Sequence, residues 1–211
     1  MKVREIFKSI QGESTWAGLP CALVRLTGCN LACAYCDTAY AREGGTEMPL
    51  DEVMAAVDAL GIELVELTGG EPLLNPDAPA LVRALIDRGH KVLIETNGSL
   101  DIGGIDERAV IIMDIKSPSS GMSERMRMDN IELLKPSDEV KFVLSNRADY
   151  EWSRAFIDIH MKGSAYTVLF SPAYGALDPA ALVGWIMEDK LDVRLNLQLH
   201  KYVFGPDARG V

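Results

Sequence analysis

Short apolar runs alternate with helix-period segments along nearly the whole chain, and a polar or glycine-bearing cluster follows almost every run. The strand-like runs are 21–27, 63–67, 91–95, 110–115, 139–144, 167–170 and 193–199. Most are near-continuous apolar stretches, the pattern of parallel strands covered on both faces. The last alternates through Val193, Leu195, Leu197 and Leu199, as a half-buried terminal strand does. Pro49 opens a helix with Leu50, Val53, Met54, Val57 and Leu60 on one face. Asn75-Pro76 and Asp178-Pro179 open two more, with Leu81, Val82, Leu85 and Ile86 inward in one and Leu182, Val183, Ile186 and Met187 in the other. Further helices are expected over 149–161 and near 123–134. This alternation implies βαβ units and a mostly parallel sheet. The 211 residues hold six or so units, too few for a closed eight-fold barrel, which typically needs ~250 residues. The expectation is one α/β domain over 1–211, a partial (β/α)6-type open barrel. The clusters after the strands, among them 28–29, 68–71, 96–98, 116–117, 145–146, 171–172 and 200–201, would then converge on one mouth.

Charge and hydropathy narrow the partners. The net charge is −10 and no long Lys/Arg run occurs, which argues against nucleic acid and against an anionic membrane surface. No apolar stretch approaches the ~18–20 residues of a membrane span, and the first residues lack an apolar signal core. The expected compartment is the cytoplasm.

Three of the four cysteines, Cys29, Cys33 and Cys36, crowd into eight residues. In a cytosolic chain such crowding reads as metal or catalysis rather than as a disulfide frame. Three thiolates on a short loop can hold three irons of a 4Fe–4S cluster and leave the fourth open, a catalytic rather than a structural feature. The alternative is a zinc site completed by Cys21 or a histidine, although no second CxxC knuckle is present. Cys21 itself, early in an apolar run, reads as a buried small residue.

The loop Cys29-Asn30-Leu31-Ala32-Cys33-Ala34-Tyr35-Cys36, with an aromatic before its last cysteine and Thr68-Gly69-Gly70-Glu71-Pro72 after the next strand, resembles the radical S-adenosylmethionine superfamily. Glycines there would let backbone groups approach the methionine ammonium of the cofactor. The resemblance narrows further. Segments 7–14, 18–20, 24–31, 36–38, 95–98, 114–118, 141–143 and 198–201, with the Gly210-Val211 ending, look like the 7-carboxy-7-deazaguanine synthase family. They span the chain. Ser14, where glycine is commoner, and Tyr35, where tryptophan is common, depart from the pattern without removing a named chemical group.

That resemblance implies a carbon–nitrogen lyase. Its substrate, 6-carboxy-5,6,7,8-tetrahydropterin, is contracted to 7-carboxy-7-deazaguanine with loss of ammonia, on the route to queuosine and related 7-deazapurines. The implied cofactors are a 4Fe–4S cluster on Cys29, Cys33 and Cys36, S-adenosylmethionine used catalytically through a 5′-deoxyadenosyl radical, and Mg²⁺ at Thr38. Tyr35, Gly70, Lys116, Ser117, Lys141 and Val143 match cofactor positions. Ile10, Gln11, Gly12, Glu13, Arg25, Thr68, Glu95, His200 and Val211 match substrate positions. An external flavodoxin or ferredoxin would supply electrons, and a homodimer is the family's common state.

The residue types are compatible with those roles, each with an ordinary alternative. A lone Arg25 among apolar neighbours needs an anion, either a ligand carboxylate or an internal one. The Thr38 hydroxyl suits a hard ion, or caps a turn. Gln11 and Glu13 can match the donors and acceptor of a pterin edge, or lie in a surface turn. Lys116 can face the cofactor or be an ordinary strand-end lysine. Glu95 can face the pterin or brace the Thr96-Asn97-Gly98 turn, and His200, at the end of the last strand, can contact substrate or cap the strand. Two other function classes stay open: a small activase of a glycyl radical enzyme, with a protein partner, and a non-enzymatic iron–sulfur or zinc sensor.

Overall fold

The computed structural model describes all residues, Met1–Val211. In chain order it contains β1 (Lys2–Ile10), β2 (Pro20–Leu26), β3 (Thr46–Glu47), α1 (Leu50–Leu60), β4 (Leu64–Gly69), α2 (Ala78–Asp87), β5 (Lys91–Thr96), β6 (Val110–Ile115) and α3 (Asn130–Leu133). It continues with β7 (Glu139–Leu144), α4 (Arg147–His160), β8 (Thr167–Pro172), α5 (Pro179–Asp189), β9 (Arg194–Leu195) and α6 (Leu199–Phe204). All nine strands form one sheet in the order β3-β1-β2-β4-β5-β6-β7-β8-β9. Strands β2 and β4 to β9 run parallel, while β1 pairs antiparallel with both β2 and β3. The sheet is open, ending at β3 and β9. No helix is long and apolar enough to cross a membrane.

The caps explain where helices begin. The Asn146 side chain accepts from the Asp149 amide at the start of α4, and Asp178 accepts from Ala180 at the start of α5. Three expectations change. Residues 193–199 are not one strand: β9 stops at Leu195, because the Asn196 side chain turns to Ser171 and to the Ser14 amide. Leu199 then opens α6, with its amide on the Gly12 carbonyl at 2.7 Å. His200 therefore lies in a helix, not at a strand end. The helix near 123–134 is only a 3-10 turn, Ser123–Arg125, followed by the single turn α3. Buried Asn130 holds that segment to the β5–β6 connection, donating to the Gly98 and Leu100 carbonyls. That connection carries no helix, so the (β/α) repeat is incomplete there.

The sheet's two faces differ, which corrects the expectation of strands apolar on both sides. Strand residues alternate between faces. On the outer face Val24, Leu67, Ile94, Met113 and Phe142 pack against Val53 and Val57 of α1, Leu81 and Leu85 of α2, Tyr150 and Phe156 of α4 and Leu182 of α5. On the inner face only the base is apolar, where Cys21, Leu64, Leu93 and Ile112 meet under Trp16. Above it the inward positions are Arg25, Glu66, Thr68, Glu95, Asp114 and Lys141, which line a cavity. Phe142 is fully buried between Phe156 and Phe170, edge to face at 5.8 and 5.6 Å. Phe142→Ala should cost about 3–5 kcal/mol, the usual range for emptying such a site, read by urea unfolding.

Candidate active site

The inner face encloses a cavity of ≈ 700 Å³, its rim formed by the cysteine loop on one side and α6 with the last residues on the other. Every candidate residue except Ser117 lines it. Ser117 is fully buried behind it, its hydroxyl on the Val143 carbonyl at 2.7 Å. The Tyr35 hydroxyl reaches the same carbonyl at 3.3 Å, so the tyrosine buttresses the strand-β7 end from the cysteine loop. Burial pushes the Tyr35 phenol up to about 12.

The cysteine loop has little regular structure and is held from outside. The Glu71 amide donates to the Gly28 carbonyl at 2.7 Å, and the Ala34 amide to the Ser120 carbonyl at 3.0 Å. The Asn97 side-chain amide donates to Asn30 Oδ1 at 3.0 Å and approaches Cys29 Sγ at 3.8 Å. A Cβ on Gly70 would sit 2.2 Å from the Gly28 carbonyl oxygen and 2.7 Å from Cys29 Cβ. Glycine at this position is therefore required by the cysteine loop itself, a more immediate constraint than room for a ligand's ammonium group. Glu71 of the same motif is buried and accepts from the Thr96 hydroxyl and from the Asn97 and Leu73 amides. It, not Glu95, braces the Thr96-Asn97-Gly98 turn.

The other end of the cavity is a charged lattice. Lys141 on β7 places its ammonium between Glu13, at 2.8 Å, and Glu95, with Asp114 at 4.0 Å. Burial opposes its charge, but Glu13, Glu95 and Asp114 outweigh burial and hold its pKa well above the usual lysine value. Lys116 pairs with Asp114 in the same way, also close to Cys33. Arg25 gives only its Nε to an internal partner, Glu5 at 2.8 Å, and lines the cavity with its terminal nitrogens free of protein bonds. The internal anion of the two sequence alternatives for Arg25 is thus Glu5. The Thr68 hydroxyl donates to Glu95 at 3.3 Å. Gln11 gives its amide to Glu66 at 3.1 Å and accepts from the Glu13 amide.

Helix α6 is moored across the mouth. Gln198 donates to Glu13 at 3.0 Å and to Asp37 at 2.9 Å, and Lys201 donates to Asp37 at 2.7 Å. Burial disfavours the Asp37 carboxylate, yet Lys201 and Gln198 hold its pKa far below the usual range. His200 packs so tightly on Gly12 that a Cβ there would meet its Nδ1 at 2.0 Å. The Arg209 guanidinium stacks 4.4 Å over the Tyr40 ring, which brings Val211 to the rim. The Thr38 hydroxyl donates to Asp37 Oδ1 at 2.9 Å.

Comparison with known proteins agrees with this geometry. The family model of the Radical SAM superfamily matches residues 23–150. The 7-carboxy-7-deazaguanine synthase of Chlorobaculum tepidum is 47% identical over 100% of this chain and 97% of its own, and that of Koribacter versatilis is 43% identical over the whole of both. The chain belongs to the 7-carboxy-7-deazaguanine synthase family. Its fold is also that of solved radical S-adenosylmethionine proteins. QueE from Escherichia coli superposes with a TM-score of 0.72 at 20% identity over 93% of each chain. Streptococcus suis SuiB superposes at 0.59 over 83% of this chain and 48% of its own.

Membership in the superfamily implies a 4Fe–4S cluster and S-adenosylmethionine. The donor set fits the cluster. Cys29, Cys33 and Cys36 are free thiols on one cavity wall, close enough that each of the other two raises the Cys33 pKa, after burial and against Lys116. No three side chains of His, Cys, Asp or Glu converge on one point as a mononuclear site requires. Soft thiols spread along a loop suit separate irons. Cys21 lies at the base of the sheet, fully buried, as expected.

Glu66, Asp114, Glu71, Asn97, Asp37, Gln198 and Lys201 were not among the expected site residues, although all but Glu66 lie in segments that carry the resemblance. A signal existed for the first two. Glu66 lies two residues before Thr68, and Asp114 two before Lys116, so each shares its partner's face of a strand. The others act on the loop and the tail through long-range contacts, so their segments were legible but their partners were not.

Proposed function

We propose that this chain contracts 6-carboxy-5,6,7,8-tetrahydropterin to 7-carboxy-7-deazaguanine with loss of ammonia, a step toward queuosine and related 7-deazapurines. The carrying observation is one cavity with three thiols at one end and the free fork of Arg25, ringed by Gln11, Glu13, Glu95 and Lys141, at the other. Full-length relatives that carry the synthase name support it. Cys29, Cys33 and Cys36 would hold the cluster, and Tyr35, Gly70, Lys116, Lys141 and Val143, with Ser117 behind them, would frame S-adenosylmethionine. Together those groups supply, when bound, the one-electron chemistry that removes a hydrogen atom from substrate carbon.

The chain's own residues bind and orient. Arg25, its Nε fixed by Glu5, presents two terminal nitrogens to the substrate carboxylate, the fork-on-fork match that guanidinium makes best. Glu13 and Glu95, which share the Lys141 ammonium, offer acceptors to ring N–H groups. The Thr38 hydroxyl, whose proton points to Asp37, keeps lone pairs for Mg²⁺. Ile10 and Gly12 form the wall beside His200, and α6 with Val211 borders the mouth. An activase needs a protein segment to enter, whereas the moored α6 favours a small ligand. The whole of 1–211 would act as one catalytic domain, in the cytoplasm, as a homodimer, with flavodoxin or ferredoxin as donor.

The test is anaerobic. Protein reconstituted with iron and sulfide is given dithionite, S-adenosylmethionine, Mg²⁺ and 6-carboxytetrahydropterin, and the deazaguanine is sought by mass spectrometry. Product that depends on Mg²⁺ is expected. Cleavage of S-adenosylmethionine without product would transfer the chain to the activase reading, and absence of both would sink the proposal.

A further inference from the structure

Glu66 is the one buried acid of the cavity without a cationic partner. It points inward from β4 at 4% exposure. Its Oε2 accepts from Gln11 Nε2, and Oε1 has no partner in the protein. No cation bonds it: Arg25 gives its Nε to Glu5 and none of its nitrogens to Glu66, and Lys141 sits between Glu13 and Glu95. A buried carboxylate with no counter-charge is costly, and such a group is more stable as the neutral acid. The groups facing it agree. Burial, then Glu95, with Glu13 adding, push its pKa up to about 8 against Lys141 and Arg25, and Cys21 below it stays a neutral thiol.

A neutral carboxylic acid does what its ionised neighbours cannot: it donates. Gln11 already supplies the N–H that Oε2 accepts, which leaves the acid's own proton for the free oxygen. We propose that Glu66 is a further substrate-recognising residue, a neutral acid whose Oε1–H donates a hydrogen bond to a carbonyl or ring-nitrogen acceptor of the heterocycle and so rejects rings that present an N–H there. The same contact to Gln11 Nε2 fixes which way the Gln11 amide faces. This rests on the reading that the cavity takes a carboxylated pterin. Glutamine at this position keeps both a donor and an acceptor and cannot ionise; methionine keeps the volume and neither.

The experiment compares wild type, E66Q and E66M as reconstituted holoenzymes with 6-carboxytetrahydropterin over a range of pH. In wild type, KM should rise as pH passes about 8, when Oε1 loses its proton. E66M should raise KM at neutral pH by about 10–100-fold, the usual loss for an unmade bond to a buried polar group, with a smaller change in kcat. E66Q should recover most of that loss and abolish the alkaline rise. Infrared difference spectra, wild type minus E66Q, should show a protonated carboxyl carbonyl band at neutral pH. That band is also the readout if E66M does not fold. An active wild type in which E66Q is as impaired as E66M, or keeps the alkaline rise, or lacks the band, overturns this proposal alone. An inactive wild type overturns the reading of the cavity and this proposal with it.

Discussion

Cys33→Ala is expected to abolish product formation and to remove most of the iron that reconstitution would otherwise load. Coordination number decides the outcome. Three thiols face one cavity wall and no other side chain converges with them to replace a lost ligand. Cys21 cannot substitute, because it is fully buried at the base of the sheet and burial pushes its thiol pKa far up, which disfavours the thiolate that binds metal. Cys21→Ala therefore serves as the control. It removes a thiol from the same chain, should keep iron content and turnover, and should cost only a small packing loss. Iron and sulfide analysis, with the visible absorption of the cluster, checks both variants. Equal iron in Cys33→Ala and wild type would mean that the loop does not carry the cluster. A partial effect is expected from Gly70→Ala, whose new Cβ must displace Gly28 and Cys29.

The readable parts of the fold and the site had local causes. Strands β4 to β8 were legible as apolar runs, and helices α1, α2 and α5 because each combines an apolar period with a cap or proline at its start. The cysteine loop and the Thr68–Pro72 motif were legible because their spacing is local. Strand β1 was missed, since its mixture of Lys2, Arg4, Glu5 and Lys8 with apolar residues shows no clean alternation and it is shaped by pairing with β2. The 193–199 run has a strand's alternation, but after the Asn196 amide bonds the Phe170 carbonyl the ladder ends, with the Asn196 side chain and the Leu199 amide held by the 12–14 turn. The inward charges were legible only in part. Arg25 stood out among apolar neighbours and Asp114 lay in a matched segment, whereas Glu66 is marked only by sharing a strand face with Thr68. Lys141 matched a cofactor position in the resemblance, yet its ammonium lies with the substrate candidates Glu13 and Glu95.

Lys141→Met should have the largest effect of any change that leaves the cysteines intact. The lysine side chain is 4% exposed and is the only cation bonded to Glu13 or Glu95, with Asp114 within 4.0 Å. Methionine fills similar volume but leaves those carboxylates facing one another and Glu66 in a poorly solvated cavity. Breaking a buried ion pair on one side costs about 3–5 kcal/mol. The penalty has a pH signature with a definite sign. The raised pKa of Lys141 means that its stabilisation is fully present below the ordinary lysine value and is lost only as pH rises through the folded one. Glu95 is the opposite case: burial opposes its charge, Lys141 wins, and its lowered pKa gives stability present above the ordinary carboxylate value and lost as pH falls. In the variant the acids lose their partner and become easier to protonate. The stability gap between wild type and Lys141→Met should therefore be widest near neutrality and should narrow as pH falls through the carboxylate range. Urea unfolding at neutral and mildly acidic pH measures it, and a gap that widens in acid would refute the ion-pair account. Turnover should fall on the order of 10²-fold even where the variant is folded, because Glu13 and Glu95 no longer share a fixed point and small displacements of binding groups are amplified in rate.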